Sequence, residues 1–467
     1  MERKVDVAII GAGSAGLTAT STARRYTDSV VLIDGGELGT TCARVGCMPS
    51  KAVIQVAEDM HRRGALEREG IEGGDGLSLD METAMEHVRH LRDHFVDQVL
   101  ATSIDQMDEE QFIAENAYFI EPTLLQVGDR QIRAEKIIIA TGSKPVVPRA
   151  WEVFGERILT TDTFFEQDSL PARVAVIGLG VIGLELGQTL ARLGVQVTGV
   201  DFATMIGGLR DPDVNAVAVE IMNKEFPLWL GHAAELREES DGSLRVSAGE
   251  QSVVVDKVLV CMGRRPNLGE LGLDTIGVTF TARGVPEYDP HTMQIGQFPI
   301  FLAGDVDADR PILHEANLEG RMAAYNATHE PVVAFKRKVP LAITFCDPNI
   351  VSVGATLDAL QEGTYVVGEM KFAPLGRALV MNKNKGLLRV YARKADGKLL
   401  GAAMIAPKGE NLGHLLNWCM HQELTVADLL KMPFYHPTIE EGLQGALYDL
   451  RRKLDIKGEI PLELEVL

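Results

Sequence analysis

Apolar positions in this chain alternate between two rhythms. The β-rich runs at 5–10 and Val30–Ile33 flank an Ala- and Thr-rich stretch reaching about Tyr26. That order predicts strand, helix, strand. It returns with Arg173–Ile177, a helical stretch to about Leu193, and a strand over 195–200. Turn signals at Gly128-Asp129, Asp241-Gly242 and Asp396-Gly397 predict hairpins. A helix is expected through Ala52, Val56 and Met60, and others at about 410–422 and 438–453. From about residue 336 the pattern shifts to a mixed sheet with helices. Most of the chain therefore predicts an α/β fold, followed by an α+β unit.

The two strand–helix–strand units carry the same punctuation. Gly11-Ala12-Gly13-Ser14-Ala15-Gly16 follows the first strand, and Asp34 ends the second. Gly178-Leu179-Gly180-Val181-Ile182-Gly183 and Asp201 occupy the corresponding places, with first glycine and acid 23 residues apart in both copies. Glycines at this spacing let backbone approach a pyrophosphate at a helix N-terminus, and the acid is placed to accept from a ribose hydroxyl. Two Rossmann-like units imply two dinucleotides. After Asp201 the chain reads Phe202-Ala203-Thr204-Met205-Ile206-Gly207, with no basic residue before Arg210. The second unit is therefore expected to take NAD, since a 2′-phosphate needs a nearby cation.

Composition narrows the classes of partner. The 46 basic and 66 acidic residues give a net charge of −20, which argues against nucleic-acid and anionic-membrane partners. No apolar run is long enough to cross a bilayer. The N-terminal apolar stretch breaks into a glycine loop instead of a cleavage site, and a cytoplasmic protein is expected. Five cysteines in 467 residues do not form a disulfide framework. Histidines 87, 90 and 94 share a predicted helix face without a cysteine or carboxylate pattern beside them, and no metal site is expected.

Two of the cysteines stand apart from the rest. They lie in Gly39-Thr40-Thr41-Cys42-Ala43-Arg44-Val45-Gly46-Cys47-Met48-Pro49-Ser50-Lys51. Pro49 suits the first turn of the following helix, so Cys47 would sit at a helix N-terminus, where the macrodipole stabilises a thiolate. The bland alternative is a pair of buried, inert thiols.

Cys-x4-Cys-Met-Pro-Ser-Lys between two glycine-loop units resembles the pyridine nucleotide–disulfide oxidoreductases. Later segments appear in that family's order: Ile139-Ala140-Thr141-Gly142-Ser143, Met262-Gly263-Arg264-Arg265-Pro266-Asn267, Phe301-Leu302-Ala303-Gly304-Asp305, and His436-Pro437-Thr438 with Glu441. The resemblance implies an FAD unit over 1–147 and 263–335, an NAD unit over 148–262, and a dimerisation unit over 336–467. It assigns FAD to Gly11, Gly13, Gly16, Asp34, Thr41, Lys51, Thr141, Gly142, Asp305 and Ala316, and NAD to Gly178, Gly180, Gly183, Asp201 and Gly263. Cys47 would be the thiol against the flavin and Cys42 the thiol that exchanges with substrate. Lys51 and Glu185 would pair beside the flavin, although Glu185 alone reads as a solvated helix carboxylate. His436, oriented by Glu441, would be the acid–base group of a site shared across a homodimer. Thr438 and Glu441 also fit a capping box.

Within the family the chain is most similar to the dihydrolipoamide dehydrogenases, which makes a lipoyl-domain protein an expected partner. No cysteine occurs in the C-terminal tail, as a second redox pair would require. The chain departs from that group at three places: Arg44 in place of Asn, Phe434-Tyr435 before His436, and Cys346 in place of Thr; the first two, at the redox loop and substrate channel, point toward a different disulfide, such as a glutathione-like or coenzyme A disulfide. A non-catalytic flavin-binding sensor or scaffold would have no need of Cys42, Cys47, Lys51, Glu185, His436 and Glu441 together.

Overall fold

The computed structural model describes residues 2–456 and residue 464; the rest of the C-terminal tail, where the sequence lacks a second redox pair, lies outside the described residues. Three sheets dominate. The first runs Phe112–Ile113, Val30–Ile33, Glu2–Ile10, Arg130–Ile139, Leu124–Val127, Ala117–Glu121, with Ile300–Leu302 also pairing with Arg130–Ile139. Pairing is parallel through Arg130–Ile139 and its Ile300–Leu302 neighbour, and antiparallel beyond. Strand Arg130–Ile139 manages both by pairing Leu124–Val127 with its first half and Ile300–Leu302 with its last three residues. Val7, Ala8, Ile9 and Ile10 are all buried, as expected of a parallel strand covered on both faces.

The second sheet is wholly parallel: Leu228–Leu230, Gln196–Asp201, Arg173–Ile177, Lys257–Val260, Ile158–Leu159. A three-stranded meander over 235–255 packs against it. The third sheet runs Leu341–Thr344, Asn349–Gly354, Leu399–Ala406, Leu387–Arg393, Tyr365–Lys371. Every pairing in it is antiparallel. It is therefore not the mixed sheet its short alternating runs suggested: Leu341–Thr344 with Asn349–Gly354 and Leu387–Arg393 with Leu399–Ala406 fold back through short turns, and the segment carrying helix Gly376–Val380 returns Leu387–Arg393 antiparallel to Tyr365–Lys371. The hairpins expected at 128–129, 241–242 and 396–397 are present.

One apolar core ties the cysteine-bearing helix to the rest. Val53 and Ala57 of Cys47–Leu66 share a cluster with Leu184, Leu186 and Leu190 of Val181–Arg192, and with Ile350, Tyr391 and Ile405 of the third sheet. A buried polar contact reinforces the junction. Asp211, 0% exposed, accepts from the Tyr391 hydroxyl and from Arg389 Nη1, both at 2.6 Å. The same carboxylate caps helix Pro212–Met222.

Helices Ser14–Ala23 and Leu313–Thr328 pack closely because Gly320 faces the first of them: a Cβ there would stand 2.4 Å from Ala15 O. Gly320→Ala should therefore cost about 1–3 kcal/mol of unfolding free energy through overpacking. Gly64, exposed in helix Cys47–Leu66 with nothing within 4 Å of its would-be Cβ, offers the opposite case. Gly64→Ala should stabilise by up to ~1 kcal/mol. Urea midpoints of the two variants check both signs.

Candidate active site

The two glycine loops are built alike. Gly11 N–H donates to Ile33 O at 2.8 Å and Ala140 N–H to Ile10 O at 2.7 Å; Gly178 N–H donates to Val200 O at 2.8 Å and Cys261 N–H to Ile177 O at 2.7 Å. A Cβ on Gly11 would lie 2.3 Å from Ala140 O, and one on Gly178 2.4 Å from Cys261 O. On Gly16 and Gly183 it would lie 1.8 Å from the carbonyl oxygens of Gly11 and Gly178. Close packing thus requires the outer glycines. The middle ones, Gly13 and Gly180, have nothing within 4 Å and are the N-caps of Ser14–Ala23 and Val181–Arg192. This open backbone at a helix N-terminus fits a pyrophosphate twice over.

The acids are doing more than the motif suggested. Asp34 accepts from Ala12 N–H at 2.6 Å and Gly36 N–H at 2.8 Å. Asp201 accepts from Leu179 N–H at 2.6 Å and Ala203 N–H at 2.9 Å. Each carboxylate clamps its own loop, and its remaining lone pairs can still accept from a ribose.

The family segments lock to one another. Asn267 Nδ2 donates to Thr141 O at 3.0 Å and the Thr141 hydroxyl to Asn267 O at 2.7 Å. Gly142 and Gly263 both adopt positive φ, at 65° and 92°, beside the two-stranded pairing of Ser143–Pro145 with Arg264–Pro266. The Ser143 hydroxyl donates to Asp305 Oδ2 at 3.0 Å and accepts from Arg264 Nε at 2.8 Å. Ala316 is buried in the first turns of Leu313–Thr328, beside Gly304.

Sequence reading missed the group behind this loop. Glu319, fully buried, accepts from Gly304 N–H at 2.8 Å and from Arg337 Nη2 at 2.5 Å. Burial and the nearby Asp307 push its carboxyl up to about 8. The available signal was an acid among the small residues of a helix face, Ala316, Gly320 and Ala323.

Thr41 opens the short helix Thr41–Arg44, and Cys47 opens Cys47–Leu66 behind Gly46. A Cβ at Gly46 would stand 2.8 Å from Thr41 O, so glycine lets the two helices meet and brings the thiols together. The largest influence on each of these two thiols is a hydrogen bond with the other. That bond, aided by the Lys51 ammonium against the opposing effect of burial, brings Cys47 down to about 7. The same bond and burial push Cys42 up. The two thiols are therefore unequal, with Cys47 lowered and Cys42 raised.

Lys51 Nζ donates to Glu185 Oε2 at 2.8 Å, and Glu185 is 4% exposed. The solvated-carboxylate alternative for Glu185 is thereby excluded. Phe345, which no sequence spacing announced, completes the arrangement. Its N–H donates to Glu185 Oε1 at 2.8 Å, and its ring centroid lies 4.5 Å from Lys51 Nζ. Cys346 is buried and its thiol is pushed up to about 12, which leaves it inert. Arg44 is ion-paired with Glu37.

The structure does not bring His436 to the cysteines of its own chain through any described hydrogen bond. His436 is 80% exposed, and its Nδ1 lies 2.8 Å from Glu441 Oε1. Glu441 is held below the usual carboxylate range by His436 and by the Thr438 amide, and with the proton placed on Nδ1 it accepts from the ring. Only half the expected capping box forms. Glu441 Oε2 accepts from Thr438 N–H at 3.0 Å, but the Thr438 hydroxyl donates to Tyr435 O and the helix begins later, at Glu441, behind Glu440. Drawing Thr438 into the His436 turn takes it away from the helix end.

No helix among the described residues is long and apolar enough to cross a membrane, and none of their side chains cluster as a metal site.

Two dinucleotide loops around an unequal pair of thiols define a flavin- and nicotinamide-linked redox protein. Residues 5–330 match the family model for pyridine nucleotide-disulphide oxidoreductase, and residues 340–447 match that family's dimerisation domain. The chain belongs to this family, whose members use FAD and NAD(P). It is 32% identical to the dihydrolipoyl dehydrogenase of Haloferax volcanii over 94% of this chain and 95% of that one. With dihydrolipoyl dehydrogenase 3 of Haloarcula marismortui the identity is 29%, covering 96% and 97%. Among solved structures, the HOCl-induced flavoprotein disulfide reductase RclA of Escherichia coli superposes with a TM-score of 0.82 at 22% identity, covering 95% and 99%. LpdA of Mycobacterium tuberculosis superposes at 0.83 and 22%, with the same coverage. Both solved structures share the fold.

The thiol asymmetry has a measurable consequence. In reduced enzyme the Cys47 thiolate fraction should rise through a midpoint near pH ~7, well below the ~8.5 of a free cysteine. Lys51→Met should move that midpoint upward, because the ammonium lowers it. Long-wavelength absorbance followed against pH reports both values; an unshifted midpoint near that of a free cysteine would contradict the assignment.

Proposed function

We propose that this protein is a dihydrolipoyl dehydrogenase-like enzyme that moves two electrons between a dithiol substrate and NAD through Cys42 and Cys47. The observation that carries the reading is the ion pair of Lys51 with buried Glu185 at 2.8 Å, which fixes a cation one helical turn beyond Cys47 at the start of the same helix. The identity to dihydrolipoyl dehydrogenases along the chain's length supports the choice of substrate.

When bound, FAD supplies a two-electron acceptor beside Cys47 that exchanges hydride with the nicotinamide. The protein's own groups handle thiols and protons. In the oxidised enzyme one substrate thiolate attacks Cys42, forming a mixed disulfide and releasing Cys47 as thiolate. The second substrate thiolate then attacks the substrate sulfur of that bond, closing the substrate disulfide and releasing Cys42. His436 Nε2 takes a proton from each thiol in turn, passing the first to solvent, while Glu441 holds the ring. Lys51 keeps positive charge beside Cys47, and buried Glu185 holds Lys51 in place. Asp34 and Asp201 fix the loops that receive FAD and NAD, and Asp305 is set for the FAD ribityl chain.

His436 lies in the dimerisation domain, far along the chain from the cysteines. In our reading each site of a homodimer takes Cys42 and Cys47 from one chain and His436 of the partner subunit. A second reading, reduction of another low-molecular-weight disulfide, is favoured by Arg44, whose charge stands between the two cysteines.

Anaerobic NADH oxidation against lipoamide, glutathione disulfide, coenzyme A disulfide and a lipoylated domain separates the two readings. Lipoamide or the lipoylated domain should be turned over at least ~10²-fold faster than the others, a margin of about 2.7 kcal/mol. Preference for another disulfide by that margin would overturn the substrate assignment while leaving the thiol chemistry intact. NADPH should reduce the enzyme far more slowly than NADH, because Asp201 repels a 2′-phosphate.

A further inference from the structure

Helix Ser14–Ala23 presents its N-terminus to one of the glycine loops, but its flank and far end line a different space. There a cleft of about 560 Å³ opens between this helix, the end of helix Met81–Ala101 with the turn that follows, and Arg321 of helix Leu313–Thr328. Arg24, Arg25 and Arg321 line it, and neither a carboxylate nor a lysine does. Arg24 is half-buried and Arg25 and Arg321 are exposed, in a chain with 20 more acidic than basic residues where several arginines pair with acids: Arg192 with Glu225, Arg337 with Glu315, Arg389 with Asp211.

The cleft arginines lack such partners among the described residues. Arg24 Nη2 is buried with no hydrogen-bond partner among the described residues, as are Arg44 Nε, Arg337 Nε and Arg389 Nε; unlike Arg337 and Arg389, Arg24 has no acid paired with its other nitrogens there. The one described hydrogen bond from the Arg321 side chain runs at 3.4 Å to Asn317 O, a carbonyl of its own helix. Leaving a buried charged donor unsatisfied is costly, and basic residues at a helix C-terminus explain the position of Arg24 and Arg25 without explaining the missing acceptor. Guanidinium forks match phosphate oxygens, which accept two parallel hydrogen bonds. The remaining wall supplies hydroxyls, including Ser21, and apolar surface from Leu17, Val99 and Met107. A volume of this size suits a small organic molecule.

We propose that this cleft binds a phosphorylated small molecule of the nucleoside polyphosphate class, held by Arg24, Arg25 and Arg321. The site is separate from both glycine loops: it lies along the side and C-terminal end of the helix whose N-cap is Gly13. Because its walls come from the helices that begin at Gly13 and just after Ile312 and from the end of Met81–Ala101, an occupant would brace the whole first unit.

Isothermal titration of FAD-loaded enzyme in saturating NAD+, so that both dinucleotide sites are filled, tests this directly. The probes are inorganic pyrophosphate, ATP and adenosine. Pyrophosphate and ATP should each bind saturably with a Kd between about 10 µM and about 1 mM, weakening several-fold from about 0.05 M to about 0.5 M KCl. Adenosine should bind at least ~10-fold more weakly than ATP, since it offers the arginines no anion. The Arg25→Gln/Arg321→Gln double variant changes two exposed residues. It should keep its FAD content and its rate of reduction by NADH but bind ATP at least ~10-fold more weakly. No saturable binding of either phosphate up to ~10 mM would overturn the proposal. So would equal ATP affinity in the double variant, or adenosine binding as well as ATP.

Discussion

Glu185 carries its carboxylate where little water reaches it, at 4% exposure, and the arrangement around the thiols depends on giving that group partners. Lys51 meets one oxygen and the Phe345 amide the other. Three segments far apart in sequence are thereby fixed to one point: the helix that begins at Cys47, the helix behind the second glycine loop, and the first turn of the third sheet. With Lys51 partly exposed and Glu185 buried, the pair is a poor source of net stability, but removing the lysine would leave a buried carboxylate short of a partner. The carboxylate thus specifies an arrangement more than it strengthens the fold. Its value is that Lys51 cannot wander, and the ammonium near Cys47 helps keep that sulfur ionised.

The same economy appears in the glycine loops. One carboxylate in each unit, Asp34 or Asp201, ties the loop to the end of the neighbouring strand, while outer glycines admit backbone at distances no side chain would allow. Only the middle glycine of each loop faces open space. The fold repeats this device because both ligands present a pyrophosphate. It differs where they differ, with Ser143, Arg264 and Glu319 supporting Gly304 and Asp305 in the first unit.

Much of this was legible in the sequence because local rules governed it. Strand, glycine loop, helix and acid are contiguous, and the helix behind Cys47 announced itself through Pro49 and its apolar spacing. What escaped was set by long-range packing. Nothing near Phe345 indicates that its amide serves a carboxylate 160 residues earlier. Thr438 looked like a helix cap, yet its hydroxyl is taken by Tyr435 O and Glu441 is shared with His436, so the helix starts three residues later. The third sheet read as mixed because short alternating runs do not reveal their direction, which here is antiparallel throughout.

The central claim is that the two thiols have different tasks, enforced by one hydrogen bond and one nearby cation. The most direct measurement is the absorbance of FAD-loaded Cys42→Ser and Cys47→Ser enzymes, taken without reductant and paired with disulfide turnover. Cys42→Ser should show a long-wavelength thiolate–flavin band at rest, because its Cys47 is always free, and Cys47→Ser should show none; neither should turn over a disulfide. A band in Cys47→Ser instead, or turnover retained by Cys42→Ser, would contradict the account.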